Sequence, residues 1–196
     1  YDDCILETAL ELEAKYIIEC RVGNTFKGIP MYTLNTDLIR SDDGIIILKG
    51  AELDTDTGHF LVYGISEQIT NELDFSDVNI SAQNLVDVCD TYGGIAIPAH
   101  PGRVGIGFAE YLDNGVTGFE TVKTVEQLNG SNRPGEGEKA ESLIKAKGYL
   151  GTGGSDAHIV SAVGTCMTRF EKKIANESDL VQELRNGRFT AVKLES

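Results

Sequence analysis

An α/β domain is what this sequence predicts. Short apolar runs alternate with amphipathic stretches along the chain, glycine and proline punctuate them, and the 196 residues suit one domain spanning 1–196. Hydrophobic residues make up 41% and charged residues 24%, ordinary globular usage that leaves enough apolar surface for a core. The elements follow in order. Residues 5–15 have helical spacing, with Leu6, Ala9, Leu10 and Ala14 on one face. Residues 45–48 and 59–64 are short apolar strands. Apolar positions recur at helical spacing over 82–90, and Ile95, Ala96 and Ile97 before Pro98 make the clearest buried strand. A further strand is expected at 118–122, a loop over 130–137 and a helix over 138–147 closed by Gly148. A strand at 149–152, a helix at 178–186 stopped by Gly187 and a last strand at 189–194 complete the pattern.

Charge and cysteine content narrow the function classes. Seventeen basic against 31 acidic side chains give a net charge of −14, from which we expect no extended nucleic-acid surface and no anionic-membrane partner. A small phosphorylated substrate stays compatible with that charge if bound metal ions reverse the field locally. No apolar run is long enough for a membrane helix. Cys4, Cys20, Cys89 and Cys166 are widely spaced with no CxxC pair, so free thiols in a reducing cytoplasm are expected rather than a disulfide framework. No signal peptide is read at the start, which begins at Tyr1 rather than Met.

The candidate chemistry sits after the strands. His100 follows the strand at 95–97, Asp156 and His158 follow the strand at 149–152, and Glu52 follows the strand at 45–48 through Lys49, Gly50 and Ala51. Loops after the strands of a parallel sheet converge on one face, so these residues should meet there. Imidazole and carboxylate together suit zinc, manganese or iron. Arg103, three residues after His100, offers a guanidinium fork for phosphate oxygens. Gly151-Thr152-Gly153-Gly154 is no P-loop, because no Gly-Lys-Ser/Thr follows it.

Several segments resemble the PHP (polymerase and histidinol phosphatase) family of metal-dependent phosphoesterases. They are Gly50-Ala51-Glu52, Gly58-His59, Pro98-Ala99-His100-Pro101-Gly102-Arg103 and Gly154-Ser155-Asp156-Ala157-His158, in the family's order. Val125-Glu126-Gln127-Leu128-Asn129-Gly130 is similar to the family's "IEVLNG", and 163–170 and 24–28 resemble further family segments. The resemblance implies a distorted seven-stranded (β/α) barrel binding two or three divalent ions (manganese, zinc or iron). It assigns Asp3, Glu52, His59, His100, Asp156 and His158 as metal ligands, and Arg103 and Asp156 as catalytic. The family's opening "HxH" would fall before Tyr1, and its "TDH" aligns with Arg21-Val22-Gly23. Both are therefore absent from this chain, and a reduced metal complement is expected. The function so implied is hydrolysis of a phosphomonoester or small phosphodiester by metal-activated water. Two alternatives compete: a degenerate, non-catalytic PHP module that binds metal or a partner, and an amidohydrolase-type barrel attacking C–N bonds.

Overall fold

The computed structural model describes residues 38–40 and 46–194. The helix expected at 5–15 and the candidate ligand Asp3 lie outside them. A short antiparallel pair, β1 (Leu38–Arg40) and β2 (Ile46–Leu48), precedes a three-stranded sheet of β3 (Gly50–Thr55), β4 (Gly58–Tyr63) and β5 (Ile95–Pro98). Helices α1 (Glu67–Glu72) and α2 (Ala82–Thr91) lie between β4 and β5 in sequence, and α3 (Phe108–Asp113) follows β5. Strand β6 (Thr124–Asn129) pairs in parallel with β7 (Leu150–Gly154) across the crossover helix α4 (Glu136–Lys147). A 3₁₀ turn at Val160–Ala162 precedes β8 (Cys166–Phe170), which pairs antiparallel with β9 (Phe189–Lys193) across α5 (Glu177–Asn186).

The seven-stranded barrel is not what this chain forms. Among the described residues the strands belong to separate sheets of two or three, and none closes on itself. The reason is local. A (β/α) barrel needs each strand parallel to the next, with a helical crossover between them. Here Asp56 and Thr57 turn β3 straight back into β4 as a hairpin, and β4 then pairs antiparallel with β5. Among the described strands, β6 and β7 alone pair in parallel.

The central sheet is buried on both faces, which is why Phe60-Leu61-Val62 is a continuous apolar run. Phe60, Val62 and Leu53 face a core with Ile69, Leu85, Phe108, Phe119 and Val125. In it Phe60, Phe108 and Phe119 meet ring against ring at centroid distances of 5.1–6.2 Å. Leu61 faces the other way, into a second cluster with Leu48, Ile97, Ala99, Leu180 and Leu184. Gly148 and Gly187 end two helices where the sequence places their stops, and polar side chains begin three. The side chains of Ser66, Ser81 and Asn176 accept N–H groups at the starts of α1, α2 and α5, and Gly148 and Gly187 close α4 and α5 in the left-handed conformation. The strand expected at 118–122 is a turn instead. Gly118 and Phe119 have φ of 100° and 65°, which an extended strand cannot accommodate, and the strand starts at Thr124. None of the helices among the described residues is long and apolar enough to cross a membrane.

Candidate metal centre and the Arg103 subsite

The hairpin brings the first three residues together. Side chains alternate along β3, so Leu53 enters the core while Glu52 and Asp54 project from the opposite face. In the β3–β4 register Asp54 stands opposite His59, and Glu52 stands opposite Leu61, one diagonal step from His59. Glu52 is thus on a strand rather than in the loop the sequence suggests. Gly58 fixes the turn: its φ is 103°, and a Cβ there would lie 2.4 Å from the Ile106 carbonyl oxygen. His100 arrives from the adjacent strand. The Ala99 N–H donates to the His59 carbonyl at 2.9 Å, which sets the two histidines side by side with ring centroids 5.0 Å apart.

Glu52 Oε1 lies 3.0 Å from His100 Nε2 and 3.3 Å from His59 Nδ1. Glu52, His59 and His100 each offer a ligand atom within 4.8 Å of the others, so the three could hold one metal ion. Two ligands on one ion at bond lengths of about 2.0–2.2 Å stand about 3.0–3.5 Å apart at octahedral or tetrahedral angles, and the observed spacings match. His100 is 1% exposed, and its Nδ1 is buried without a hydrogen-bond partner. Such an orphan costs about 1–3 kcal/mol, and it is the ring nitrogen that does not face Glu52. Asp54, absent from the sequence reading, supports the group: its Oδ1 lies 3.0 Å from His59 Nε2 and orients the ring from its far side.

A second cluster stands beside it. The Asp156 side chain is 1% exposed, and its Oδ2 accepts from Arg103 Nη2 at 2.8 Å and from Asn129 Nδ2 at 3.1 Å. Arg103 Nη2 also donates to Asn129 Oδ1 at 3.2 Å. Asn129 Nδ2 continues to Glu126 Oε2 at 3.0 Å, and that same oxygen accepts the His100 backbone N–H at 2.7 Å. Residues three apart on a regular strand face opposite ways. Glu126 and Asn129 share a side because the β6–β7 register shifts between Glu126 and Leu128. Glu126 and Asn129 were visible in sequence only as part of a family motif, without a role. Glu126 is 1% exposed in the fold, a burial that its polar neighbours Thr124, Gln127 and Asn129 do not announce in sequence.

His158 is not drawn in. Its side chain is 80% exposed, and its Nδ1 lies 2.9 Å from the Asp156 carbonyl oxygen. A carbonyl only accepts, so Nδ1 carries the proton and Nε2 the lone pair when the ring is neutral. Near Arg103, Glu136 caps the loop by accepting N–H groups from Val104 and Arg133 at 3.2 and 2.8 Å. Burial works to raise the Glu136 pKa, but those two N–H groups and the charges of Arg103 and Arg133 outweigh it and hold the carboxyl below its ordinary range.

With this geometry in view, known proteins can be set beside the chain. A family model described as PHP-associated matches residues 134–189, which contain Asp156 and His158 but not Glu52, His59, His100 or Arg103. No curated protein sequence matches the chain. Among solved structures it is similar to Endonuclease Q in a complex with a 27-mer duplex substrate bearing an abasic lesion at the active site (TM-score 0.64, 13% identity, 94% of this chain, 51% of that one). The family match covers residues 134–189 alone, less than half of the chain, and at 13% identity the structural likeness is one of fold. The lesion-specific endonuclease PfuEndoQ from Pyrococcus furiosus is similar too (TM-score 0.59, 14% identity, 93% of this chain, 50% of that one). So is PsfC from Pseudomonas syringae PB-5123 (TM-score 0.58, 19% identity, 77% of this chain, 61% of that one). The chain therefore spans about half to three-fifths of these proteins. The duplex in the first complex overturns the expectation of no extended nucleic-acid surface. Net charge is a sum over the chain and sets no bound on the local field at a site.

Proposed function

We propose that the chain carries the metal-binding part of a PHP-type phosphoesterase, in which Glu52, His59 and His100 hold a divalent cation and water cleaves a phosphate ester. The observation that carries the reading is the Glu52–His59–His100 group, in which each residue offers a ligand atom within 4.8 Å of the others. Two imidazoles and a carboxylate suit zinc, manganese or iron. When bound, such an ion supplies a water of lowered pKa and offsets charge developing on the phosphoryl oxygens.

The chain's own residues do the rest. Asp54 holds His59 in orientation through Nε2, and Glu126 holds the His100 backbone through its N–H. Arg103 is 22% exposed in its side chain, and its hydrogen bonds to Asp156 and Asn129 both leave from Nη2. The donors of Nη1 and Nε are left to orient a phosphate group. The similarity to Endonuclease Q supports a phosphodiester within a nucleic acid as the substrate class. The free, buried thiols of Cys89 and Cys166 support a reducing, cytoplasmic setting.

The test is hydrolysis of bis(p-nitrophenyl) phosphate and p-nitrophenyl phosphate by this chain with added manganese, zinc or iron. We expect metal-dependent turnover that falls at least about 100-fold in Glu52→Gln and in His100→Ala. Undiminished turnover in both variants, or no turnover of either substrate with any of the three metals, would refute the reading.

A further inference from the structure

We infer that Arg103 is a built-in counter-cation for the Asp156 carboxylate and fills the place of a second metal ion, so that this chain binds one divalent cation rather than two or three. The inference rests on the proposed centre at Glu52, His59 and His100, and concerns what stands beside it. The resemblance gives Asp156 to metal, but its geometry here disagrees. Asp156 is not part of the three-residue group, and its Oδ2 receives two donors, Arg103 Nη2 at 2.8 Å and Asn129 Nδ2 at 3.1 Å. An ion bonded to that same oxygen at about 2.1 Å would stand only a few ångströms from the guanidinium, a strongly repulsive arrangement in a site that is 1% exposed at Asp156. Arginine keeps its charge at every working pH, so it cannot yield by deprotonation as lysine can.

The backbone under Arg103 is fixed, which makes the pairing a property of the fold. A Cβ at Gly102 would lie 1.9 Å from the Glu136 carbonyl oxygen, and one at Gly107 would lie 2.4 Å from the Arg103 carbonyl oxygen. The Arg103 N–H donates to the His100 carbonyl at 2.9 Å, and its own carbonyl accepts from Gly107 at 2.8 Å. The next N–H, of Val104, is held by Glu136 at 3.2 Å. These contacts pack the loop closely against Glu136, so a second ion reaches Asp156 Oδ2 only if the guanidinium rotates away. Asn129 keeps it in place, since it donates to Asp156 and accepts from Arg103 at once.

Manganese alone is the probe. The chain is dialysed exhaustively, titrated with Mn²⁺ by calorimetry, and the bound metal is counted by mass spectrometry, with circular dichroism as the folding control. We expect one ion per chain in the wild type and in Arg103→Lys, and two in Arg103→Met and in Arg103→Gln. The gained ion disappears in the Arg103→Met/Asp156→Asn double variant. Asp156→Asn alone keeps the wild-type count, a comparison that stands even where the neutral Arg103 variants do not fold. Equal counts in the wild type and both neutral Arg103 variants overturn the inference, as does loss of an ion in Asp156→Asn alone. Glu52→Gln tests the underlying centre separately: if it leaves the wild-type count unchanged, that centre fails, while the gain on neutralising Arg103 still decides the role of the arginine.

Discussion

Replacing Glu126 is the perturbation with the widest reach, because one carboxylate holds both parts of the site. Its side chain is 1% exposed and accepts the His100 N–H at 2.7 Å and Asn129 Nδ2 at 3.0 Å. A hydrogen bond to a charged group contributes about 1.5–3 kcal/mol, and each buried donor left unpartnered costs about 1–3 kcal/mol. Glu126→Ala removes the acceptor of two such bonds and opens a small cavity, so we expect a loss of about 3–5 kcal/mol. For a chain of this length that corresponds to a fall in Tm of roughly 6–20 °C. Glu126→Gln keeps one oxygen that can accept, and should cost about half as much. The backbone consequence is specific. His100 has φ of 29°, strained for a residue with a Cβ, and the bond from its N–H to Glu126 helps to hold it there. Released, the imidazole loses its fixed approach to Glu52, and we expect Mn²⁺ affinity to weaken by about 10- to 100-fold. Urea unfolding and manganese titration of both variants measure the two effects. Glu126→Ala with stability within 1 kcal/mol of wild type and unchanged Mn²⁺ affinity would refute the reasoning.

Three further outcomes are expected. Gly58→Ala forces a Cβ to within 2.4 Å of the Ile106 carbonyl oxygen at φ of 103°, so it should cost about 1–3 kcal/mol in thermal unfolding and weaken Mn²⁺ binding by displacing His59; an unchanged melting curve would argue against the turn. The Cys89 thiol is pushed up to about 12, first by burial and then by Asp90, with Arg185 opposing, so a disulfide reagent at pH 8 should find roughly one thiolate in 10,000 and label it only in urea. Fast labelling of Cys89 itself in the native chain, located by peptide mass spectrometry, would contradict that burial. Glu136 has a folded pKa held below its ordinary 4.5, so its stabilisation is present above pH 4.5 and is lost as pH falls through the lowered value. The acid limb of a stability–pH curve should therefore be shallower in Glu136→Gln than in wild type, and identical limbs would remove the assignment.

Where the sequence was readable, a single strong local signal was present. The helices at 82–91, 136–147 and 177–186 combine helical spacing with a polar N-cap or a closing glycine, and both survive into the fold. The strand before His100 is short, apolar and bounded by Gly94 and Pro98, leaving no competing conformation. The misreadings occur where one residue's backbone angle decides. Gly118 and Phe119 lie in an apolar stretch that reads as strand, yet their positive φ values make a turn. Lys49, Gly50 and Ala51 read as the loop after the strand at 45–48, although Gly50 opens β3. That missed strand hid the hairpin, and without the hairpin the Asp54–His59 pair could not be foreseen. The barrel expectation failed with it, since one tight turn replaces a crossover and makes the sheet antiparallel.

The polar residues were harder to read than the apolar ones for a physical reason. A buried leucine is specified by its neighbours' apolarity, which sequence displays, but a buried carboxylate is specified by its donors, which come from other strands. Asp156 depends on Arg103 and Asn129, fifty-three and twenty-seven residues away in the chain. Glu126 depends on the His100 backbone N–H, twenty-six residues away. The β6–β7 bulge turns Asn129 onto the side of Glu126, and through that one amide the His100 anchor and the Arg103–Asp156 pair become a single hydrogen-bonded network. Mutations at either end should therefore be non-additive. Asn129→Ala, which separates the two halves, should reduce the coupling energy between Glu126→Gln and Asp156→Asn in unfolding experiments from about 0.5–3 kcal/mol toward zero. A coupling that survives loss of the amide would mean the halves communicate by another route, and the bulge would then have no part in joining them.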